Sequence, residues 1–252
     1  MNANDAWPEQ WLRPDGLPAE VGAVATTRDG GCSAVPYDTM NLGSHVGDDP
    51  AAVAGNRARL AQLIGAQPVY LEQVHGRDVV RLSAADLQRT PRADGCVTTE
   101  RGLACCVMTA DCLPVLFAAP AARGVAAAHA GWRGLAAGVL EATLQALCEA
   151  AGCEPQEVAA WMGPAIGPQR FEVGADVLEA FGASAAEPGS AFVAGRAGHW
   201  CADLPALARR RLSAAGLARV GGGLWCTVGD ARFYSFRRDR VTGRMAACIW
   251  IR

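Results

Sequence analysis

From residue 21 to the C-terminus, apolar segments follow one another with no repeat, low-complexity tract or Gly/Ser linker between them. This predicts one domain over 21–252 preceded by an N-terminal extension over 1–20. The run VGAVATT, 21–27, predicts a strand. Asp49-Pro50 marks a helix start, because an aspartate oxygen can accept a first-turn amide and proline already has a helical φ. Val53, Leu60, Leu63 and Ile64 carry that helix to Gly65. Two β-branched runs, 69–74 and 79–82, flank His75-Gly76 and predict short strands. The runs 103–109, 114–119 and 125–128 are apolar at successive positions, the pattern of strands buried on both faces.

The spacing changes from Trp132 onward. Leu135, Val139, Leu140, Leu144 and Leu147 recur at helical intervals and predict one helix running to Gly152. A strand over 158–162, a helix over 175–181, a helix over 203–212 capped by Asp203, and strands over 224–228 and 245–251 complete the chain. Long helices mixed with strands, without strict alternation, predict an α+β fold in which helices cover packed sheets.

Composition narrows the chemistry. The 252 residues, 51% hydrophobic, suffice for a well-buried core. All 23 cationic residues are Arg, and the absence of Lys excludes Schiff-base aldolases, pyridoxal phosphate enzymes, P-loop NTPases and protein kinases. A formal charge of −2 argues against nucleic acid as a partner. The N-terminus MNANDAWPEQWLRPDG lacks a secretory leader, and no apolar window of about 18 residues follows, so a cytoplasmic protein without a membrane partner is expected. Ten Cys without a CxxC pair read as free thiols in a reducing compartment.

Three segments place a possible metal ligand at the end of a predicted strand: LEQVHG with His75, MTADCLP with Cys112 and AAAHAGWRG with His129. Their wide separation suits a site assembled by the tertiary fold. Two imidazoles and one thiolate form a zinc-competent set that leaves a fourth position open for water. On composition alone His45, in NLGSHVGDD, or His199, in AGHWC, could replace either imidazole; their turn-like surroundings favour surface or supporting roles.

LEQVHG, DGCVTTERGLACCVMTADCLPVLF, GVAAAHAGWRGLAAGVLE, MGPAIGPQRFEVGADV and FYSFRRDRVTGRMAACIWI together resemble the YfiH/YlmD-type laccase-domain family. Its members were first named polyphenol oxidases and later described as zinc-containing purine nucleoside phosphorylases with adenosine deaminase activity. The resemblance implies a four-layer α/β/β/α sandwich and one zinc per chain held by His75, Cys112 and His129. It further implies adenosine, inosine, guanosine and S-methyl-5′-thioadenosine as substrates, with phosphate. Asn41, Gln73, Asp111 and Arg133 lie inside matching motifs and are expected to line the pocket. Tyr234, in FYSFRRD, departs from the usual aromatic pattern and receives no role.

Residue counting tests the older name. A multicopper oxidase needs a trinuclear centre rich in imidazole, and after two histidines are used only His45 and His199 remain. Copper is therefore expected only as an adventitious occupant of the single site, with Met108 nearby in sequence. For deamination, which needs a proton carrier, Asp111 is the candidate, with orientation of its own turn or of a metal-bound His as its other reading. For phosphorolysis Arg133, at a predicted helix start, is the candidate phosphate cation, with a surface ion pair as its other reading. Arg209–Arg211, Arg237, Arg238 and Arg240 read as solvated faces. Two other functions remain open: an amidase removing L-serine from the peptidoglycan precursor UDP-MurNAc-L-Ser, and a non-enzymatic zinc-stabilised binding module.

Overall fold

The computed structural model describes residues 7–252. The first half of the chain contains β1 (Val21–Ala25), α1 (Pro50–Ile64), β2 (Gln67–Val69), β3 (Val79–Arg81), β4 (Gly95–Thr98), β5 (Leu103–Thr109), β6 (Leu113–Ala118) and β7 (Val125–Ala130). The second contains α2 (Trp132–Ala137), α3 (Val139–Ala151), β8 (Ala159–Met162), β9 (Glu172–Val173), α4 (Ala175–Ala180), β10 (Phe192–Ala194), β11 (Trp200–Ala202), α5 (Leu204–Ala214), β12 (Arg219–Gly222), α6 (Phe236–Asp239) and β13 (Met245–Ile251). Strands β1-β13-β5-β2 form one sheet, β12-β8-β6-β7-β4-β3 a second, and β10-β11-β9 a small third. The fold is α+β, as the mixed pattern predicts.

Why the central runs are apolar throughout is visible in their alternation. Leu103, Cys105 and Val107 of β5, with Ala247, Ile249 and Ile251 of β13, pack against Leu116, Ala118, Val125, Ala127 and Trp161 of the second sheet. Their neighbours Ala104, Cys106, Ala246, Cys248 and Trp250 face the other way, onto Leu60 and Ile64 of α1 and onto Trp7 and Trp11. In the second sheet Val115, Phe117, Ala126 and Ala128 point outward onto Leu140, Leu144 and Leu147 of α3 and Leu207 and Leu212 of α5. Period-two alternation thus divides each strand between two of three cores, and the buried runs are apolar but for Thr109 and His129. Helix α1 begins as predicted, with Asp49 Oδ1 accepting from Ala51 N at 3.0 Å and Gly65 closing it at a φ of 67°. No helix among the described residues is long and apolar enough to cross a membrane.

Several elements differ from expectation. The predicted strand 69–74 stops at Val69, because beyond it the edge of β5 is met by a side chain instead of backbone: Gln73 Nε2 donates to Met108 O at 2.8 Å and its Oε1 accepts from Met108 N at 2.7 Å. The helix expected from Trp132 to Gly152 breaks at Gly138, whose φ of 96° ends α2 and lets α3 start in a new direction. The strand expected over 224–228 makes only the isolated Ala165–Cys226 bridge. The sheet edge is occupied earlier, by β12, and the left-handed pair Gly222-Gly223 then turns the chain away. Strand β4, the β9–β11 sheet and α6 have no counterpart in the sequence reading.

Candidate metal centre and pocket

His75 lies in a tight turn at a φ of 59°, well past the end of β2, and not at a strand end as expected. Cys112 lies in the β5–β6 turn, and His129 sits within β7, paired in register with Pro114. The fold brings these three together: one donor atom from each lies within 4.8 Å of the others, with His75 Nε2 at 3.8 Å from Cys112 Sγ. The two imidazoles meet edge to face, with ring centroids 4.8 Å apart. A glycine is required beside them, since a Cβ on Gly131 would stand 2.8 Å from His75 Cδ2 and 3.1 Å from Cys112 Sγ.

One carboxylate, missed in the sequence reading, organises this cluster. Asp94 is fully buried immediately before β4. Its Oδ1 binds His129 Nδ1 at 2.7 Å and accepts from His75 N at 3.0 Å. Its Oδ2 accepts from Val74 N at 3.0 Å and Gly76 N at 2.7 Å. Burial pushes this carboxyl up, but the His129 contact and the Gly76 and Val74 amides outweigh it and hold the group below the usual carboxylate range. Burial likewise opposes charge on Cys112 and His129, yet each stabilises the charge of the other. The thiol is drawn down to about 6 and the imidazole up to about 9. A thiol that ionises readily is one that binds a metal readily.

The donor set fits a single tetrahedral zinc. Ideal zinc bond lengths place an imidazole nitrogen and a thiolate sulfur about 3.6 Å apart, close to the observed 3.8 Å. Asp94 on the far nitrogen of His129 leaves Nε2 as the free donor, the arrangement that orients metal-bound imidazoles. Among the described residues this is the one cluster of three or more candidate ligands, so no second centre of the multicopper kind accompanies it.

The trio opens into a cavity of about 640 Å³ also lined by Ser44, His45, Arg57, Tyr70, Glu72, Gln73, Met108, Phe236 and Arg244. Of the sequence candidates, Gln73 lines it, although both its amide atoms are engaged by Met108. Asn41 is buried behind it, where its Oδ1 accepts from Gly43 N at 2.9 Å and Arg244 N at 2.8 Å. Asp111 does not line the cavity: its Oδ1 accepts from Thr227 Oγ1 and its Oδ2 from Arg237 N, both at 2.6 Å. These contacts favour its reading as a brace over that of a proton carrier. Arg133 is exposed, lies over the Trp132 ring at 4.3 Å and is absent from the cavity lining.

The cations in the cavity are instead Arg57 and Arg244, neither of which sits in a sequence motif with obvious chemistry. His45, expected at the surface or in support, lines the cavity too, whereas His199 lies elsewhere, against Arg196 and Ala197 O. Arg238 is more than a solvated charge: its guanidinium donates to the carbonyls of Thr227 and Phe233, each at 2.8 Å. Tyr234, left without a role, is fully buried with its hydroxyl donating to Tyr37 O.

A family model described as multi-copper polyphenol oxidoreductase laccase matches residues 22–252. A Pseudomonas aeruginosa protein named purine nucleoside phosphorylase is 52% identical over 244 residues, covering 96% of this chain and 98% of its own. The Escherichia coli purine nucleoside phosphorylase YfiH is 48% identical, covering 96% and 97%. Among solved structures, a Neisseria meningitidis protein superposes with a TM-score of 0.90 at 47% identity over 96% of this chain and 99% of that one. YlmD from Geobacillus stearothermophilus superposes at 0.89 with 34% identity over 98% of both chains. A matching model over nearly the whole length, and relatives near half identical over the same span, mean that the chain belongs to the laccase-domain family of YfiH and YlmD.

Proposed function

We propose that the chain is a zinc-dependent purine nucleoside phosphorylase, which also deaminates adenosine. The observation that carries this reading is the joining, in one cavity, of a His-Cys-His donor set and two arginines. The relatives named purine nucleoside phosphorylase support it. Zinc held by His75, Cys112 and His129 would supply Lewis acidity in this cavity. Met108 and Phe236 offer apolar and aromatic surface against which a purine ring can lie, while Tyr70 underlies Arg57. Gln73 pins Met108, and with it the end of β5 that leads into Cys112, so its amide shapes the pocket without touching the reaction. Asp94 holds His129 as a donor through one nitrogen and fixes the His75 turn through three backbone amides. A cytoplasmic protein acting on a small nucleoside and phosphate, with neither nucleic acid nor membrane as partner, is the corresponding setting.

Product analysis tests this. Inosine with inorganic phosphate is expected to give hypoxanthine and ribose 1-phosphate, and adenosine to release ammonia. Free ribose, formed irrespective of phosphate, would indicate hydrolysis and remove the phosphorylase reading. Release of L-serine from UDP-MurNAc-L-Ser without any nucleoside turnover would replace it with the amidase. A zinc-loaded protein inert toward all three substrates would leave a binding module.

A further inference from the structure

Two guanidinium groups line the cavity, and none of the ion pairs among the described residues includes either of them. Both are braced by neutral groups. Arg57 stacks on the Tyr70 ring at 3.9 Å, donates from Nε to Leu42 O at 2.9 Å, and reaches Ser44 Oγ with Nη2 at 3.4 Å. Arg244 donates from Nη1 to Thr242 O and Gly243 O, each at 3.0 Å, while its backbone amide is latched by Asn41 Oδ1. The approach is close, because a Cβ on Gly43 would stand 2.7 Å from Arg244 Cγ. Nη1 of Arg57 and both Nε and Nη2 of Arg244 make no hydrogen bond among the described residues.

These two charges converge. Both arginines are anchored on one short segment: Leu42 O accepts from Arg57 Nε, Leu42 N donates to Arg244 O at 3.1 Å, and burial first, then Arg244 and Arg57, hold the neighbouring His45 imidazole below its ordinary value. Desolvation disfavours the Arg244 charge, so its partial burial with no carboxylate partner carries a cost that an incoming anion would offset. Among the described residues the one carboxylate lining the cavity, Glu72, is turned toward Arg92 at 3.8 Å. A small dianion is the ligand that two unpaired guanidiniums with free N–H groups fit best, through paired charge-assisted hydrogen bonds. In a chain without Lys, these are the cations within reach of the metal cluster.

The geometry points to an inorganic phosphate seat between Arg57 and Arg244, beside Ser44 and His45, in the cavity into which the metal cluster opens. It takes the place of Arg133, which stands outside the cavity. The assignment rests on the phosphorylase reading for its role in catalysis, but the seat itself is a claim about anion binding. Asn41 and Gly43 are positioning residues for it, through the backbone and side chain of Arg244 respectively.

Calorimetric titration of inorganic phosphate into the zinc-loaded protein tests the seat without turnover. It is run alone and with an uncleavable C-nucleoside analogue of inosine present, so that ordered binding is also detected. Arg57→Gln and Arg244→Gln should each weaken phosphate by about tenfold or more, the loss expected for one charged hydrogen-bonding partner. Arg57→Lys and Arg244→Lys should recover part of it, and melting curves separate misfolding from lost affinity. Arg133→Gln should bind phosphate as the parent does. In steady-state assays the Gln variants should raise KM for phosphate while KM for inosine stays within about twofold. Unchanged phosphate affinity in folded Gln variants, or absence of saturable phosphate binding by the parent in both arms, overturns the seat. Binding of uridine diphosphate without binding of inorganic phosphate assigns the arginines to a phosphate ester and overturns it too. Phosphate binding that depends on both arginines, in a protein that releases no ribose 1-phosphate, upholds the seat and refutes the phosphorylase reading instead.

Discussion

The cavity is lined by two groups of residues built on opposite principles. The His75, Cys112 and His129 group holds its charge conditionally: the thiol and imidazole ionise because of one another and because Asp94 stands behind them. The Arg57 and Arg244 group is permanently charged and is braced by carbonyls, a hydroxyl, the Met108 thioether and the Tyr70 and Phe236 rings. A donor set for a metal must be pre-aimed, and here a buried carboxylate does the aiming, through the far nitrogen of His129 and the amides of the His75 turn. A cationic seat must keep its charge uncompensated, which requires that carboxylates be kept away.

The sharpest way to separate the groups is Cys112→Ala. Metal content, read by atomic absorption, should fall from about one per chain to near zero, and nucleoside turnover should drop by more than about 100-fold, beyond the loss typical of a supporting residue. Chelator treatment of the parent should reproduce the loss of turnover, whereas Arg244→Gln should retain full metal. A Cys112→Ala protein that keeps its zinc would undo the ligand assignment.

Asp94→Asn should cost about 10- to 100-fold in metal affinity by competition titration, because the amide can no longer offer acceptor oxygens to both His129 and the turn amides. It should also lower the melting temperature of the metal-free protein, which Cys112→Ala should do far less. Equal metal affinity in Asp94→Asn would show that the trio needs no organiser.

Asp111→Asn discriminates a brace from a proton carrier. Loss of the paired contacts to Thr227 and Arg237 should destabilise the protein by about 1–3 kcal/mol in denaturant unfolding. The pH profile of kcat for adenosine should keep its shape; loss of one limb would restore Asp111 to the chemistry.

The smallest expected effect is on His45. Burial first, then Arg244 and Arg57, hold its imidazole below the ordinary value of 6.5. The fold therefore favours the neutral ring, so its contribution to stability is present above pH 6.5 and is lost as pH falls through the lowered value. Its NMR titration midpoint should lie below 6.5 and rise in Arg244→Gln. A midpoint indifferent to that substitution would mean the two arginines do not converge there.

The sheets were legible wherever burial is two-sided, because a short unbroken apolar run such as that of β5, β6 or β7 suits a strand covered on both faces and few other elements. Capped helices were legible for a local reason, as Asp49-Pro50 and Asp203 carry their own signals. Strand β4 was hidden because its GCVT run is short and its partners β7 and β3 are separated from it in the chain. In the site, the three donors were legible as residue types near strand-like runs, and Gln73 as part of a motif. Asp94, Arg57 and Arg244 were not, since an Asp before Gly and an Arg in a helix or loop are ordinary until the fold says what they face.

The four oxygen contacts of Asp94 tie together segments that the ribosome delivers far apart, the 74–76 turn, β4 and β7. Both histidines are aimed by a residue that β4, lying between β7 and β3, holds in place. The metal ligands are therefore a read-out of strand register: a shift of β4 against β7 would carry Asp94 away from His129 and from the 74–76 turn together.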